Sequence, residues 1–276
     1  MITIFSTLKP FTDPHIKMIQ RNAIQSWVSL SPKCQVILLG NNEGAREAAK
    51  EFDILHIPNV EINESGLPLI RSLFREAQKI AKFPILCYVN GDIIFTDDFL
   101  KAIKKIASGY EQFLCVGRRW DTEIRTPISF DKNWQKNIKT LVKKEGALHG
   151  YSGIDYFVFT KGMFQDIPPL VVGRGGWDNW MIYDTRKRHI PVIDVTKATT
   201  VVHQGHDLPN TRETATRFTD EYAEKNREYA GGYKNLLTIR DANGIFDGEK
   251  TKRNVISFLS FFYPWRLAIA LKRKIR

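Results

Sequence analysis

The residues that could carry chemistry begin with the sequence YVNGDIIF at residues 88–95. An apolar run, typical of a buried strand, ends there at Asn90, Gly91 and Asp92. A carboxylate at a strand end is exposed and rigidly held. It suits a hard divalent cation, which takes oxygen ligands and can bridge to a diphosphate. Asn-Gly-Asp is also common turn chemistry, so a plain turn is the alternative interpretation.

A second candidate is the sequence GRGGWDNW at residues 173–180, where a glycine-rich loop precedes a carboxylate between two tryptophans. Tryptophan faces can stack on sugar rings, and a carboxylate among them is partly desolvated. Desolvation would raise the pKa of Asp178 toward that of a useful general base. The alternative is that Asp178 caps a helix and that the tryptophans belong to the core.

Histidine and arginine supply the remaining candidates. His203 follows an apolar run in the sequence VVHQGHD, and a histidine in such a place can ligate a metal, although a structural histidine is the more frequent case. Arg71 and Arg75 lie one helical turn apart, and either could reach a phosphate. A solvated helix face explains these two arginines equally well.

The composition predicts a folded domain that can position these side chains. The 276 residues are 43% apolar and 26% charged, which excludes a disordered or collagen-like chain. The net charge of +11 favours anionic partners such as nucleic acid, phosphorylated small molecules or acidic lipid. Three cysteines without a C-x-x-C pair argue against a zinc ribbon or a disulfide scaffold. Because the start of the chain also lacks a signal-peptide pattern, we expect a cytoplasmic protein.

The first half of the chain alternates between strand and helix patterns. Predicted strands cover residues 2–7, 35–39, 54–57 and 84–89, and predicted helices cover residues 13–30, 43–52, 69–81 and 99–106. The strands are apolar throughout, which indicates a mostly parallel sheet flanked by helices on both faces. Ligands of such sheets bind beyond the carboxyl ends of the strands, here residues 6–7, 40–42 and 90–92.

The second half is less regular. Predicted strands cover residues 113–116, 156–159, 192–194 and 200–203, and predicted helices cover residues 177–188 and 211–228. A polar stretch that contains Trp120, Trp134 and His149 separates the first two of these strands. Because the chain has no internal repeat and no Ser/Gly linker, we expect one domain over residues 1–250.

Residues 251–276 are interpreted as a helical C-terminal tail. Aromatic side chains between residues 258 and 265 precede the basic sequence KRKIR at the end of the chain. Aromatic residues beside a basic cluster suit the surface of an anionic membrane, which would place the protein peripherally at the inner face of that membrane. The alternative is a terminal helix that docks its aromatic residues on the core.

These features together resemble the nucleotide-binding half of GT-A-fold glycosyltransferases. The resemblance rests on the ITIFST strand, the α/β alternation and YVNGDIIF, and it extends over residues 1–207. In that family an Asp-x-Asp motif binds a divalent metal and the diphosphate of the donor. GRGGWDNW resembles the acidic loop of inverting members, and VVHQGH resembles the later histidine that completes the metal site. Asn90 departs from the family, because it stands where Asp-x-Asp has its first acidic residue.

The resemblance implies a GT-A-like, Rossmann-like fold with a nucleotide-binding half (1–110) and an acceptor and catalytic half (111–209). It implies that Asp92 and His203 hold Mn²⁺ or Mg²⁺. The residues expected to bind the donor are Thr7, Arg71, Asn90 and Asp92.

The same resemblance assigns roles on the acceptor side. Asp178 would be the catalytic base, with Asp155 as its rival, and Trp120, Asp155 and Trp177 would contact the acceptor. The expected reaction is inverting transfer of a sugar from a nucleotide diphosphate sugar, with a UDP-sugar favoured, to a hydroxyl of a carbohydrate or lipid-linked acceptor. Such a reaction would belong to polysaccharide or glycolipid synthesis.

Two other classes of protein are weaker fits. A nucleotidyltransferase shares the α/β order and the metal carboxylate, but its first strand normally leads into a glycine-rich basic loop, and this chain has LKPF at residues 8–11. A non-catalytic module that binds nucleic acid or a membrane surface would use the basic charge. Acidic residues are interleaved with the basic ones, however, and no nucleic-acid-binding motif is present, so no nucleic-acid partner is predicted.

Overall fold

The computed structural model describes residues 1–205, 218–255 and 257. The helices within these residues are α1 (Pro14–Val28), α2 (Ala45–Glu51), α3 (Ile70–Ile80), α4 (Asp97–Ala107), α5 (Trp134–Glu145), α6 (Trp177–Lys187) and α7 (Glu221–Tyr229). The strands are β1 (Thr3–Thr7), β2 (Gln35–Leu39), β3 (Leu55–Ile57), β4 (Ile85–Val89), β5 (Ile93–Phe95), β6 (Leu114–Val116), β7 (Trp120–Thr122), β8 (Ala147–Leu148), β9 (Tyr156–Thr160), β10 (Val192–Asp194), β11 (Val201–Gln204), β12 (Gly244–Phe246) and β13 (Thr251–Arg253). In the part of the chain described, no helix has the length and apolar character needed to cross a membrane.

Nine strands form the main sheet, in the order β13-β12-β10-β6-β9-β4-β1-β2-β3. Neighbouring strands run parallel except at β9, which is antiparallel to β4 and β6, and at β13, which is antiparallel to β12. Helices cover both faces of this sheet. The predicted α/β class with a mostly parallel sheet is therefore confirmed.

The central strands of the main sheet lack an alternating pattern because they are buried on both faces. In β1, Ile4 packs into the core on one face and Phe5 into the core on the other. The first core includes Trp27 of α1, and the second includes Phe74 of α3 and Met181 of α6. A sheet that is covered twice needs apolar side chains at successive positions, so its strands read as continuous apolar runs.

Helix α1 positions the segment that follows Asp92. The side chain of Asp13 caps the helix by accepting a hydrogen bond from the backbone N–H of Ile16 at 2.8 Å, and proline stands at the first helical position. At the other end, the buried indole of Trp27 donates from Nε1 to the carbonyl of Ile93 at 2.8 Å. This bond fixes the helix to β5.

A second sheet of four short strands lies in the order β5-β11-β7-β8. Helix α5 covers one of its faces through a cluster that includes Ile94, Ile138 and Val202. Of this layer, the sequence analysis identified only the strand that became β11. The predicted polar stretch between β6 and β9 contains β7, α5 and β8.

Of two further predictions, one is described only in part and the other differs from the structure. The helix predicted over residues 211–228 is described only as α7, because residues 206–217 lie outside the described part of the chain. Strand β13 pairs with β12, so the main sheet continues past the predicted domain boundary at residue 250. The aromatic and basic residues of the predicted tail, from residue 258 onward, also lie outside the described residues.

Candidate active site

The loop after β4 is held in place by close packing and by main-chain hydrogen bonds. A Cβ atom at Gly91 would lie 2.7 Å from Leu8 Cδ2 and 3.2 Å from Gln20 Oε1, so only glycine fits there without displacing a neighbour. The carbonyl of Asp92 accepts hydrogen bonds from the backbone N–H of Gln204 at 3.3 Å and from its Nε2 at 3.1 Å. These bonds fix the backbone of Asp92 against β11.

This pairing brings Asp92 and His203 together. Ile93 of β5 lies opposite His203 of β11 in an antiparallel register, and Asp92 directly precedes β5. The Oδ2 atom of Asp92 lies 3.7 Å from the Nε2 atom of His203, and the two side chains are 16% and 11% exposed. The sequence analysis placed these two residues at one site, and the fold brings them into contact.

The pair fits a divalent cation. Two ligands of a single Mg²⁺, Mn²⁺ or Zn²⁺ ion are separated by ~3–3.4 Å, given bonds of ~2.1 Å. Among the described residues, no group of three or more His, Cys, Asp or Glu side chains could hold a metal ion. Asp92 and His203 would therefore supply one oxygen and one nitrogen ligand, and phosphate or water would have to supply the others.

A row of four titratable side chains crosses the small sheet from strand to strand. His203 pairs with Asp121 in the parallel register of β11 and β7, and its Nδ1 lies 3.2 Å from Asp121 Oδ1. The other oxygen of Asp121 lies 2.6 Å from Nδ1 of His149, which follows β8. Burial alone would raise the pKa of Asp121, but hydrogen bonds from His149, His203 and Arg119 outweigh it and hold that pKa well below its ordinary value.

Arg119 connects this row to a second carboxylate. Its Nε donates to Asp121 Oδ1 at 2.9 Å, and its Nη1 donates to Asp155 Oδ2. The Oδ1 atom of Asp155 accepts from Nδ2 of Asn90 at 2.8 Å. Both oxygens of Asp155 are thus occupied by donors, and Asn90 acts by holding Asp155.

Asp178 lies in a different environment from Asp155. It stands in the first turn of α6, directly after Gly176 and Trp177. Desolvation by burial, together with the charge of Asp155, raises the pKa of Asp178 to about 7, although backbone N–H groups of Asn179 and Gly176 oppose the shift. Within the described chain, its buried Oδ1 has no hydrogen-bond partner.

The buried ring of Tyr88 marks how close the three carboxylates are to one another. Burial raises the pKa of its hydroxyl above the usual value, and the charges of Asp92, Asp155 and Asp178 raise it further. The candidate metal ligand, the Arg-bound carboxylate and the carboxyl with the raised pKa therefore all lie near Tyr88.

The other predicted residues occupy different surroundings. Thr7 ends β1, and a Cβ at Gly40 would lie 3.3 Å from its Oγ1, an atom that is buried and has no hydrogen-bond partner among the described residues. Arg71 lies at the surface and donates from Nε to Glu61 at 2.9 Å. Arg71 could contact a phosphate, as predicted, only after its ion pair with Glu61 has broken.

The two tryptophans predicted to contact the acceptor belong to the packing of the domain. Trp177 is 5% exposed and lies against the rings of Tyr88 and Phe157, with centroids 5.2 and 5.3 Å away. It therefore offers no open face for a sugar, and its burial argues against the predicted stacking role. Trp120 packs beside the cluster under α5 and is partly buried.

Sequence reasoning did not assign Arg119, Asp121 and His149 to the site. Asp121 lies in a three-residue strand and His149 follows a two-residue strand, so no periodic pattern marks either of them. A usable signal was the concentration of Arg, Asp and His in the polar stretch that separates two buried strands.

Comparison with solved structures identifies the fold. The structure of glucosyl-3-phosphoglycerate synthase from Mycobacterium tuberculosis in complex with UDP aligns over 84% of this chain and 80% of its own, with a TM-score of 0.50 and 11% sequence identity. The mannosyltransferase PcManGT from Pyrobaculum calidifontis, in complex with GDP-Man and Mn²⁺, aligns over 98% of this chain and 73% of its own, with a TM-score of 0.49 and 14% identity. No protein-family model and no curated protein sequence matches the chain. The chain has a GT-A fold.

Proposed function

We propose that this protein is a glycosyltransferase that moves a sugar from a nucleotide diphosphate sugar to an acceptor hydroxyl. The observation that carries the proposal is the distance of 3.7 Å between Asp92 and His203 at the carboxyl edge of β4. The similarity in fold to a sugar-transferring synthase that binds UDP supports the same class of donor.

Asp92 and His203 would hold the metal ion in this proposal. A bound Mn²⁺ or Mg²⁺ supplies positive charge that stabilises the departing diphosphate. Asp121 faces the second ring nitrogen of His203 at 3.2 Å, which keeps Nε2 directed at Asp92. A carboxylate behind a metal-bound histidine fixes its orientation and raises its basicity, so Asp121 belongs to the machinery of the site.

Asp178 would accept the proton of the acceptor hydroxyl. A base works best when its pKa lies near the working pH, and the pKa of Asp178 is raised to about 7. Asp155 is less suited, because donors from Asn90 and Arg119 occupy its two oxygens. A direct proton transfer of this kind goes with inversion at the sugar carbon, as the sequence analysis expected.

The donor would lie over the ends of β1, β2 and β4. The buried, unsatisfied Oγ1 of Thr7 faces this edge next to Gly40, where a nucleotide could bring a hydrogen-bonding group. A UDP-sugar remains the favoured donor in the proposal, with Asn90 and Arg71 as further donor contacts.

A nucleotide-release assay tests the proposed activity. We expect the protein with Mn²⁺ to release UDP or GDP from one of UDP-glucose, UDP-galactose, UDP-GlcNAc and GDP-mannose, and we expect chelation to abolish that release. Asp92→Asn should lose the activity, while the exposed Asp166→Asn should retain it. Equal activity in Asp92→Asn and Asp166→Asn would contradict the proposal.

The proposal also includes a cytoplasmic location with the C-terminal tail on an anionic membrane surface. Flotation with phosphatidylglycerol vesicles compares the full chain with a chain that ends at residue 257. The full chain should float and the shortened chain should remain in the soluble fraction. Equal flotation of the two would exclude this role for the tail.

A further inference from the structure

Two arginines converge on one exposed tyrosine at the rim of the site. The guanidinium carbon of Arg118 lies 4.6 Å from the ring centroid of Tyr151, and that of Arg240 lies 5.1 Å from the same centroid. Tyr151 is 38% exposed. Each arginine gains a cation–π attraction of ~0.5–1 kcal/mol at an exposed ring.

Neither arginine is neutralised by a neighbouring carboxylate. Within the part of the chain described, neither Arg118 nor Arg240 forms an ion pair, whereas the adjacent Arg119 binds both Asp121 and Asp155. Asp194 is close enough to Arg118 to feel its charge, but Oδ1 of Asp194 accepts hydrogen bonds from Thr196. The cluster of Arg118, Tyr151 and Arg240 therefore carries two positive charges that no described carboxylate pairs with.

The geometry of Arg118 is fixed before any ligand arrives. Its Nε donates to the carbonyl of His149 at 2.5 Å and its Nη2 donates to the carbonyl of Leu148 at 3.2 Å. The side chain of Arg240 is exposed and makes no side-chain hydrogen bond to the described residues, so it can close on a ligand. One arginine is preorganised and the other is adaptable.

Main-chain contacts place this cluster beside the candidate base. The N–H of Ile239 donates to the carbonyl of Tyr151 at 3.1 Å, and the N–H of Leu237 donates to the carbonyl of Asn179 at 3.3 Å. Asn179 directly follows Asp178. On the other side, Arg118 contacts the carbonyl of His149, whose ring bonds Asp121. Hydrogen bonds thus connect the cluster to the segment of Asp178 on one side and to the row of titratable side chains on the other.

We infer that Arg118 and Arg240, across Tyr151, form a subsite for an anionic group of the acceptor, a phosphate or a carboxylate. The guanidinium fork of Arg240 matches the paired oxygens of either anion, and Nη1 of Arg118 and the hydroxyl of Tyr151 can add donors. The inference rests on the proposed function, because it assumes that the acceptor binds next to Asp178. It narrows the acceptor class from any hydroxyl compound to an acidic one.

Calorimetric titration tests the subsite directly, with the full chain saturated by UDP and Mn²⁺ so that the donor site is filled. The probes are glycerol 3-phosphate, glycerate and neutral glycerol. We expect one of the two anions to bind and glycerol not to bind, and the tighter anion identifies the acceptor group. Arg240→Gln should lower the affinity for that anion by roughly tenfold, since hydrogen bonds to charged groups contribute that much. The anion affinity of Arg240→Lys should lie between those of the wild type and Arg240→Gln.

The control is Arg46→Gln, which removes one positive charge from an exposed position on α2. Equal anion affinity in Arg240→Gln and Arg46→Gln would overturn the subsite, as would failure of both anions to bind the wild-type protein. These readouts are separate from the proposed activity. Arg240-dependent binding without any sugar transfer would contradict the function alone, and transfer to neutral acceptors with no anion binding would contradict the subsite alone.

Discussion

At the scale of single residues, two neighbouring carboxyl groups have opposite environments. Asp155 accepts hydrogen bonds from Asn90 and Arg119, so donors occupy both of its carboxyl oxygens. Asp178 is half-buried, and desolvation raises its pKa to about 7. This comparison supports Asp178 as the base.

Replacing Asp178 should remove proton transfer and leave the donor site intact. Asp178→Asn keeps the size of the side chain, so we expect turnover to fall by ~10²–10⁴-fold, which is the usual contribution of a positioned base. The affinity for UDP should stay within about twofold, because Asp92 and His203 are unchanged. Steady-state kinetics and calorimetry measure the two quantities, with Asp166→Asn as the control. Full turnover in Asp178→Asn would refute the assignment.

The raised pKa of Asp178 also predicts how stability depends on pH. Its ordinary value is 3.8 and its value in the folded protein is about 7, so between these limits the folded state holds a proton that the unfolded state has lost. The contribution of Asp178 to the free energy of unfolding is fully present below pH ~4. It is lost as the pH rises to ~7, by up to ~1.4 kcal/mol per pH unit.

Urea unfolding of wild type and Asp178→Asn at pH 5 and pH 7, without added metal, isolates this contribution. The free energy of unfolding of the wild type should fall relative to that of Asp178→Asn between the two pH values. A difference between the two proteins that is the same at pH 5 and pH 7 would show that the pKa of Asp178 is not raised.

At the scale of elements, the small sheet assembles the site by strand register. Asp92, His203, Asp121 and His149 belong to or flank four neighbouring strands, and the register places them side by side. The sequence predicted the first two because each follows a distinct apolar run. It could not predict the last two, because three- and two-residue strands carry no pattern and their neighbours come from distant parts of the chain.

The loop between β8 and β9 gives a matched test of this row. A Cβ at Gly153 would lie 2.3 Å from Cδ2 of His149, while a Cβ at Gly150 meets nothing within 4 Å. Gly153→Ala should therefore displace His149 from Asp121. Asp121 would then hold the ring of His203 less firmly. We expect Mn²⁺-dependent UDP affinity to fall by roughly tenfold, the lower end of the effect of supporting residues around a metal. Calorimetry should show that Gly150→Ala has the UDP affinity of the wild type. An equal UDP affinity in the two variants would show that the row of side chains does not support the metal site.

At the scale of the whole molecule, the α/β class and most elements of the first half follow from the sequence. Helix α5 could also have been found, because Trp134, Ile138 and Val142 recur at helical spacing. The antiparallel course of β9 could not be predicted. Tyr156–Thr160 is buried between two neighbours like the parallel strands around it, so the apolar run does not reveal its direction.

A crystal structure with UDP and Mn²⁺ bound is the most direct test of the whole account. Anomalous scattering should place one manganese ion within ~2.0–2.3 Å of a carboxylate oxygen of Asp92 and of Nε2 of His203, with the diphosphate completing its coordination and the nucleoside over Thr7. Manganese bound elsewhere, or UDP away from the ends of β1 and β4, would contradict it.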